Sequence, residues 1–170
     1  MSRRARKPVL TTVLLVGEGK TEVVFLSHLK SLYIQRENGI KLTIKNARGK
    51  GPEYIVDFAI RQRNNAAYDR VAVLLDTDLV WSDAVKKRAR KNRLTLLGSN
   101  PCVEGFLLEI LGQYVPTETS ECKQRCGDVI AGSLLEQESF QAQLPHDVLE
   151  ARRDSFSLLD DLLKFFEKQS

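Results

Sequence analysis

Residues 9–22, VLTTVLLVGEGKTE, contain the strand, turn and helix start that decide the fold. The run up to Val16 is apolar and β-branched and has no helical period, which is typical of a strand buried on both faces of a parallel sheet. Glycines then mark a tight turn, and from Thr21 to about Gln35 apolar residues recur at the spacing of a helix. The sequence therefore predicts that the first unit of the chain is strand, turn and helix.

Strands and helices continue to alternate as far as about residue 101. The further predicted strands are residues 40–44, 71–75 and 94–97, and the predicted helices between them are residues 53–64 and 83–92. Residues 40–44 alternate between apolar and polar, so we expect that strand near an edge of the sheet. Ser82 is expected to cap the basic helix that follows it. The pattern predicts an α/β, Rossmann-like fold, with a sheet of about four parallel strands and helices on both faces.

The last third of the chain is predicted to be helical. Helical patterns cover residues 102–111, 129–140 and 147–168. The apolar residues of the final stretch would expose a large surface, so we expect them to pack on the sheet, with a dimer contact as the alternative. We therefore assign residues 1–112 to the α/β core, with a basic arm at residues 1–8. Residues 113–170 form a helical C-terminal extension packed on the same domain.

Length and composition narrow the class of protein. With 170 residues, 42% of them hydrophobic, the chain is long enough for one core and short for two. No run reaches the ~18–20 apolar residues of a membrane span, and no signal-peptide cleavage pattern follows the first apolar run. Three cysteines do not make a disulfide framework. Cys122 and Cys126 are expected to be ordinary thiols, and a zinc site at this pair is the weaker alternative. We expect a cytoplasmic protein without membrane contact.

Charge is unevenly divided along the chain. The net charge is +4, yet residues 1–98 hold 20 Lys and Arg against 9 Asp and Glu, and residues 99–170 hold 6 against 13. A basic half suggests an anionic partner such as DNA or RNA, because clustered cations attract phosphates at long range. A solvated surface is the alternative. The candidate nucleic-acid contacts are Lys20, Arg48, Lys50, Lys86, Lys87, Arg88 and Arg90.

Carboxylates follow the predicted strands at the positions where open parallel sheets bind ligands. Glu18 follows the first strand with Glu22 four residues later, Asp76 and Asp78 follow the third strand, and Asn100 and Glu104 follow the fourth. Carboxylates gathered this closely repel unless a cation joins them, and oxygen ligands without histidine suit Mg²⁺ or Mn²⁺. The sequence predicts such a metal site. For each acid taken alone, a helix N-terminus or a surface turn is the alternative.

Residues 17–21, GEGKT, together with the strand that ends at Asp76 also suggest a P-loop nucleotidase. The P-loop pattern GxxxxGK[ST] needs a glycine five residues before Gly19, and the chain has Leu14 there. The loop is too short to wrap a triphosphate, so the metal site is the preferred interpretation.

Three short blocks resemble the signature blocks of RloB-like proteins, a bacterial family often found beside restriction or phage-defence genes. They are VGEGKTE at residues 16–22, LDTD at residues 75–78 and SNPCVE at residues 99–104. Their order and spacing match, and the resemblance spans about residues 9–111. RloB-like proteins are in turn similar to the Toprim domains of topoisomerases, primases and OLD-family nucleases. In those domains a glutamate after the first strand and a DxD motif after the third handle Mg²⁺-dependent phosphoryl transfer.

The resemblance implies roles for individual acids. Glu18 would be a metal ligand or the general acid/base, and Glu22 would be a second ligand, as in OLD-type nucleases. Asp76 and Asp78 would be the metal-binding pair, so that Glu18 and this pair carry the catalysis. Gly17 and Gly19, on either side of Glu18, would support the site.

The third block departs from the family pattern in two places. Val103 stands where the family has phenylalanine, and Gly105 follows Glu104 where aromatic residues are usual. From the residues themselves, Asn100 is expected to cap the next helix with Pro101 at its first position. Glu104 is then either a further ligand or a structural residue.

The resulting hypothesis is a Mg²⁺- or Mn²⁺-dependent nuclease of the Toprim type that serves bacterial restriction or phage defence. Its expected partners are nucleic acid, a protein from a defence or restriction locus, and a second copy of the chain. The alternative is a nucleic-acid- or partner-binding module that keeps the fold and has weak or no catalysis.

Overall fold

The structure is a computed structural model that describes residues 10–130 and 132–169. The strands are β1 (Thr11–Gly17), β2 (Ile40–Asn46), β3 (Arg70–Asp76) and β4 (Leu94–Ser99). The helices are α1 (Lys20–Tyr33), α2 (Gly51–Ala66), α3 (Asp83–Lys91), α4 (Val103–Ile110), α5 (Thr119–Val129), α6 (Glu138–Gln141), α7 (His146–Arg153) and α8 (Ser157–Leu163). Short 3₁₀ turns occur at Arg36–Asn38 and Lys164–Phe166. The predicted basic arm, residues 1–8, lies outside the described residues.

The four strands form one parallel sheet in the order β2-β1-β3-β4, which confirms the predicted α/β, Rossmann-like fold. β2 is an edge strand, as its alternating pattern predicted. In the register of the sheet Gly17 lies beside Asn46, and Asp76 lies beside Ser99. The carboxyl ends of all four strands therefore meet at one edge, and the segments that follow them share that edge.

Each face of the sheet buries its own hydrophobic core. On one face Leu14, Val16 and Val73 pack against α2 and α3. On the other face Val13 and Leu15 pack against α1 and the helices from α4 onward. Alternate residues of β1 enter opposite cores, which explains why residues 13–16 are all apolar.

The C-terminal helices pack on the sheet domain. Leu159, Leu162 and Phe166 are buried in the same core as β1 and α1. On the α1 side of this core, Phe25 packs edge-on against Phe106 with ring centres 6.1 Å apart. The apolar residues of the final stretch are thus covered within one chain, as expected for packing on the sheet. In the part of the chain that is described, no helix combines the length and apolarity that a membrane crossing requires.

Two helix predictions in the C-terminal third are wrong. The described residues of 129–140 do not form one helix, because α5 ends at Val129, Gly132 has a φ of +99° that no helix adopts, and α6 begins only at Glu138. The final stretch is two helices rather than one. Ser155 N–H bonds the carbonyl of Arg152 in a tight turn between α7 and α8, and this turn brings Arg153 against Asp160 at 2.7 Å. The predicted cap at Ser82 is confirmed, since its Oγ accepts a 3.2 Å hydrogen bond from Val85 N.

Candidate functional site

Glu18 lies in the two-residue connection between β1 and α1. At Gly17, just before it, an added Cβ would lie 2.9 Å from Glu22 Cβ, so glycine lets the first turn of α1 lie against the strand end. The backbone N–H of Asp76 donates a 2.9 Å hydrogen bond to Glu18 Oε2. Glu18 is therefore tied to the end of β3. A connection of two residues also leaves no loop that could wrap a triphosphate, which argues against the P-loop alternative.

Glu22 lies in the first turn of α1 and is only 5% exposed. Its Oε2 accepts a 3.0 Å hydrogen bond from the N–H of Gly19, the residue that precedes the helix. Burial is the main cause that raises the pKa of Glu22; backbone hydrogen bonds oppose the rise, and the charges of Glu104 and Glu18 add to it. This bond makes Glu22 the N3 partner of a capping box at the start of α1.

Asp76, the last residue of β3, is half-buried and accepts two hydrogen bonds at Oδ1. Ser99 Oγ donates one at 3.2 Å, and the N–H of Val103 donates the other at 3.1 Å. Burial raises the pKa of Asp76 to about 8, and the charges of three neighbouring glutamates contribute to the rise. Carboxyl groups whose pKa is raised by burial and by like charges are concentrated at functional sites.

Asp78 lies on the exposed rim of the cluster. Thr119 Oγ1, at the start of α5, donates a 3.1 Å hydrogen bond to Asp78 Oδ2. The backbone N–H groups of Thr77 and Asp78 donate to the carbonyl of Pro101 at 3.2 and 3.1 Å. The DxD segment is thus held against the turn that follows β4. Pro101 supports the site through this carbonyl.

The predicted cap at Asn100 is wrong. α4 begins at Val103, two residues after Pro101, and its N-cap residue is Cys102, which makes no side-chain cap hydrogen bond. Asp76 Oδ1 accepts the N–H of Val103 and so satisfies a first-turn donor of the kind a cap would serve. Asn100 Oδ1 instead accepts a 3.3 Å hydrogen bond from Thr77 Oγ1.

Glu104 lies in the first turn of α4 and is 4% exposed. Its charge raises the pKa of both Asp76 and Glu22, which places it in the same electrostatic cluster. Local packing explains the glycine at position 105, which departs from the family pattern. An added Cβ would lie 2.8 Å from Pro101 Cδ and 2.9 Å from the Asn100 carbonyl oxygen, so glycine lets α4 start this close to the turn.

The acidic cluster, defined as Glu18, Glu22, Asp76, Asp78 and Glu104, has little basic compensation. Within residues 10–130 and 132–169 no salt bridge involves any of the five. Burial raises the pKa of Glu18; the hydrogen bond from Asp76 opposes this, Asp78 adds to it, and Lys123 on α5 lowers it. Carboxylates buried together without cationic partners repel one another.

The donor atoms of the acidic cluster suit a divalent metal ion, but its side chains do not converge on one point. In the described part of the chain, no three His, Cys, Asp or Glu side chains meet as a ready-made metal-binding group. Glu18, Glu22 and Asp76 each accept a backbone hydrogen bond at one carboxylate oxygen. The donors are hard oxygens with a surplus of negative charge, the set that Mg²⁺ and Mn²⁺ prefer.

A basic cleft of about 950 Å³ opens beside the acidic cluster, between α2, the end of β2 and the start of α1. Its side chains are the cations Lys20, Lys45 and Arg48, the aromatics Tyr54 and Phe58, and the amides Asn46 and Gln62. Of the predicted nucleic-acid contacts, the structure brings Lys20 and Arg48 into this cleft. Lys50 lines a neighbouring groove and holds its Nζ 4.9 Å from the centre of the Tyr54 ring.

The basic residues of α3 lie elsewhere. Lys86, Lys87, Arg88 and Arg90 are exposed, and α3 leads from the carboxyl end of β3 to the start of β4, away from the acidic edge. Arg88 Nη1 lies 2.9 Å from Asp57 Oδ1 of α2 and so links the two helices. The structure does not bring these four cations to the acidic cluster.

Several residues around the site could not be found from sequence patterns. Lys123 acts on the pKa of Glu18 from α5, a helix that the sequence pattern did not predict, and the hydrogen bond from Ser99 to Asp76 depends on the pairing of β4 with β3. Cys102, Cys122 and Cys126 are buried free thiols, and burial raises the pKa of Cys126 to about 12. The carboxylate-rich blocks carried a signal in the sequence, whereas these neighbours depend on tertiary packing.

A family model described as RloB-like protein matches residues 13–148. The match covers most of the chain, including the three blocks and the basic cleft. The chain belongs to the RloB-like protein family. Searches of curated proteins and of solved structures found no significant match. The acidic cluster of this RloB-like protein therefore has to be interpreted from its own geometry and charge.

Proposed function

We propose that this RloB-like protein is a Mg²⁺- or Mn²⁺-dependent nuclease of the Toprim type that cuts phosphodiester bonds at the acidic cluster. The observation that carries the proposal is the burial of like charges at one edge of the sheet. Glu22 and Glu104 are 5% and 4% exposed, and the pKa of Asp76 is raised to about 8, with no basic partner among the described residues. Such an arrangement destabilises a fold unless a cation joins it.

The candidate ligands are Glu18, Glu22, Asp76 and Asp78, with Glu104 as a further one. Glu18 and Asp76 each use one carboxylate oxygen for a hydrogen bond inside the described structure, which leaves the other oxygen for a cation. A bound divalent ion would polarise the phosphodiester and stabilise the leaving oxygen.

The chain's own residues supply the remaining parts of the proposal. Because Oε2 is held by the Asp76 N–H, Oε1 is the oxygen of Glu18 that either binds the cation or accepts the proton of the attacking water. Lys20 and Arg48 hold the nucleic-acid backbone beside the cluster, because both line the adjoining cleft. The loop from Arg48 to Gly51 has φ between 62° and 85° throughout and connects the end of β2 to the start of α2.

The family resemblance extends the proposal to a biological setting. Because RloB-like proteins are often found beside restriction or phage-defence genes, we propose a role in bacterial defence, in the cytoplasm, with a partner protein from the same locus. A second copy of the chain is a further proposed partner.

A binding module with the same fold and weak or no catalysis is the second candidate function. The observation that favours it is that no three acidic side chains of the described residues meet as a ready-made metal group. Such a module would bind its ligand in the basic cleft, and the acidic cluster would have lost its catalytic role or would serve in regulation.

A cleavage assay separates the two functions. Purified protein is incubated with plasmid, single-stranded DNA and RNA in Mg²⁺, in Mn²⁺ and in EDTA. The variants are Glu18→Gln, Asp76→Asn and the control Glu109→Gln, which changes an exposed glutamate of α4. We expect cleavage only with metal, its loss in the first two variants, and its retention in the control. Cleavage in EDTA, or equal cleavage by all variants, would exclude the proposed nuclease site; binding without cleavage would support the module.

A further inference from the structure

The basic cleft has the composition of a site for a single unpaired nucleotide. Tyr54, Phe58 and Gln62 follow one another at intervals of four along α2, so they share one face of the helix. Ile55 and Ala59 on the adjacent face are fully buried against the sheet, whereas Tyr54 and Phe58 are only half-buried. Tyr54 and Phe58 thus pack against the margin of this core and leave part of each ring exposed on the cleft side of α2.

The opposite wall of the cleft is cationic. Lys45 Nζ donates a 2.5 Å hydrogen bond to Gln62 Oε1 across the cleft, which fixes the position of the Gln62 amide. Asn46 Oδ1 accepts the N–H of Arg48 at 2.8 Å, which orients a second amide. No salt bridge within the described ranges involves Lys20, Lys45 or Arg48, so no carboxylate neutralises this wall there.

The cleft is continuous with the acidic cluster. Gly19 lines the cleft, and its N–H donates to Glu22 Oε2 at 3.0 Å. The N–H of Gly49 donates to the carbonyl of Glu18 at 2.8 Å, so the loop that forms one side of the cleft is bonded to the residue that begins the cluster. A nucleotide in the cleft would therefore place its phosphate next to the acids.

We propose that the basic cleft binds one unpaired base of single-stranded nucleic acid, at the nucleotide adjoining the phosphodiester that the acidic cluster processes. The base stacks on Tyr54 and Phe58, the amides of Asn46 and Gln62 contact its edge, and Lys20, Lys45 and Arg48 hold the flanking phosphates. A base paired in a duplex cannot enter, so the site selects single strands. This inference rests on the proposed action on nucleic acid.

The test is a binding experiment in EDTA, where cleavage is switched off. Fluorescence anisotropy measures the affinity of the full chain for a labelled single strand of about 12 nucleotides, within the usual range of single-strand sites. The same sequence is also measured as a duplex and as a strand with abasic positions. The variants are Tyr54→Leu and Phe58→Leu, which keep apolar volume and remove the aromatic ring. The control is Tyr114→Leu, an exposed tyrosine outside the cleft whose ring also lies beside an arginine.

We expect wild type to prefer the single strand to the duplex. Each leucine variant of the cleft should bind the single strand about 5- to 150-fold more weakly, the range found for loss of one base stack, and bind the duplex and the abasic strand as wild type does. Tyr114→Leu should match wild type throughout. Circular dichroism melting checks that Phe58→Leu is folded, and Tyr54→Leu provides an independent test.

Three results would overturn the inference: equal wild-type affinity for single strand and duplex, unchanged single-strand affinity in both cleft variants, or displacement of the strand by an equal concentration of a free nucleoside monophosphate. The last would identify a mononucleotide site. Aromatic-dependent binding without cleavage in Mg²⁺ would leave this inference standing and remove the nuclease proposal. Cleavage that is unaffected by both leucine variants would leave the nuclease proposal standing and remove this inference.

Discussion

Replacing Asp76 with asparagine tests whether the acidic cluster is a strained set of charges. The asparagine amide would keep the shape of the side chain and could still accept hydrogen bonds from Ser99 Oγ and Val103 N through its oxygen. The substitution removes one charge from a group whose pKa is raised to about 8 by burial and by neighbouring glutamates. In the absence of a divalent cation, we therefore expect Asp76→Asn to stabilise the fold.

The pKa of Asp76 sets the size of the effect. A pKa of about 8 against the ordinary 3.8 gives an upper bound of about 6 kcal/mol for the penalty of holding the charge at pH 8, at 1.36 kcal/mol for each tenfold change in proton affinity. Asp76 keeps contact with water and shares its titration with its neighbours, so we expect a gain of about 1–3 kcal/mol.

The sign of the pH dependence follows from linkage. The folded pKa of Asp76 is raised, so between pH 3.8 and about 8 the folded protein binds more protons than the unfolded chain, and the stability of wild type falls as the pH rises. Asparagine does not titrate. The gain from Asp76→Asn should be largest near pH 8 and should shrink as the pH falls towards 4.

Urea unfolding followed by circular dichroism measures both quantities in EDTA at several pH values. Asp128→Asn, which removes an exposed carboxylate of α5, is the matched control and should change the free energy of unfolding by no more than about 0.5 kcal/mol. In a second series Mg²⁺ should raise the urea midpoint of wild type and leave that of Asp76→Asn unchanged. A variant that is less stable than wild type at pH 8 in EDTA, or a gain that does not depend on pH, would refute the argument.

Three further predictions concern the fold around the site. Gly105→Ala should destabilise the fold by about 1–3 kcal/mol, because the new Cβ would lie 2.8 Å from Pro101 Cδ. Gly127→Ala, whose Cβ would have no atom within 4 Å, should stabilise α5 by about 0.5–1 kcal/mol. Urea unfolding measures both changes, and equal changes in the two variants would contradict the prediction. Ser82→Ala should cost about 1 kcal/mol through loss of the α3 cap, and an unchanged melting temperature would count against the cap. Burial lowers the pKa of His28, so the contribution of the neutral ring to stability is complete above about pH 6.5 and is lost as the pH falls. His28→Phe should therefore flatten the fall in melting temperature between pH 7 and 5.5. Parallel melting-temperature curves for the variant and wild type would contradict this prediction.

The central fold could be predicted because its strands are buried on both faces. β1 and β3 have wholly apolar centres, residues 13–16 and 71–75, and such runs separated by helical patterns have few alternatives to a parallel sheet. The C-terminal third was harder to predict. Its helices are short and are ended by turns whose conformation depends on packing, such as the bend that brings Arg153 against Asp160.

The candidate site, like the fold, could be predicted only in part from the sequence. Sequence spacing located the acids, because strand ends in a parallel sheet share one edge. It could not show that Val103 N bonds Asp76 rather than an Asn100 cap, because that choice depends on how closely α4 approaches β3. The basic cleft was also only partly visible. Lys20 and Arg48 stood out as charges, but Tyr54 and Phe58 matched core positions of an amphipathic helix, and only the structure shows that these partly buried rings also line the cleft.

The glycines at the site indicate that the crowding of charge is built by the fold. A Cβ at Gly17 would lie 2.9 Å from Glu22 Cβ and one at Gly105 would lie 2.8 Å from Pro101 Cδ, so both helix starts approach too closely for any larger residue. These two approaches bury Glu22 and Glu104, two of the three glutamates whose charges add to the effect of burial on the pKa of Asp76. A chain selected only for stability would gain by moving either helix outward and letting water reach the glutamates. Two close helix starts that hold like charges together, without a salt bridge to the cluster among the described residues, support the proposal that a cation binds there.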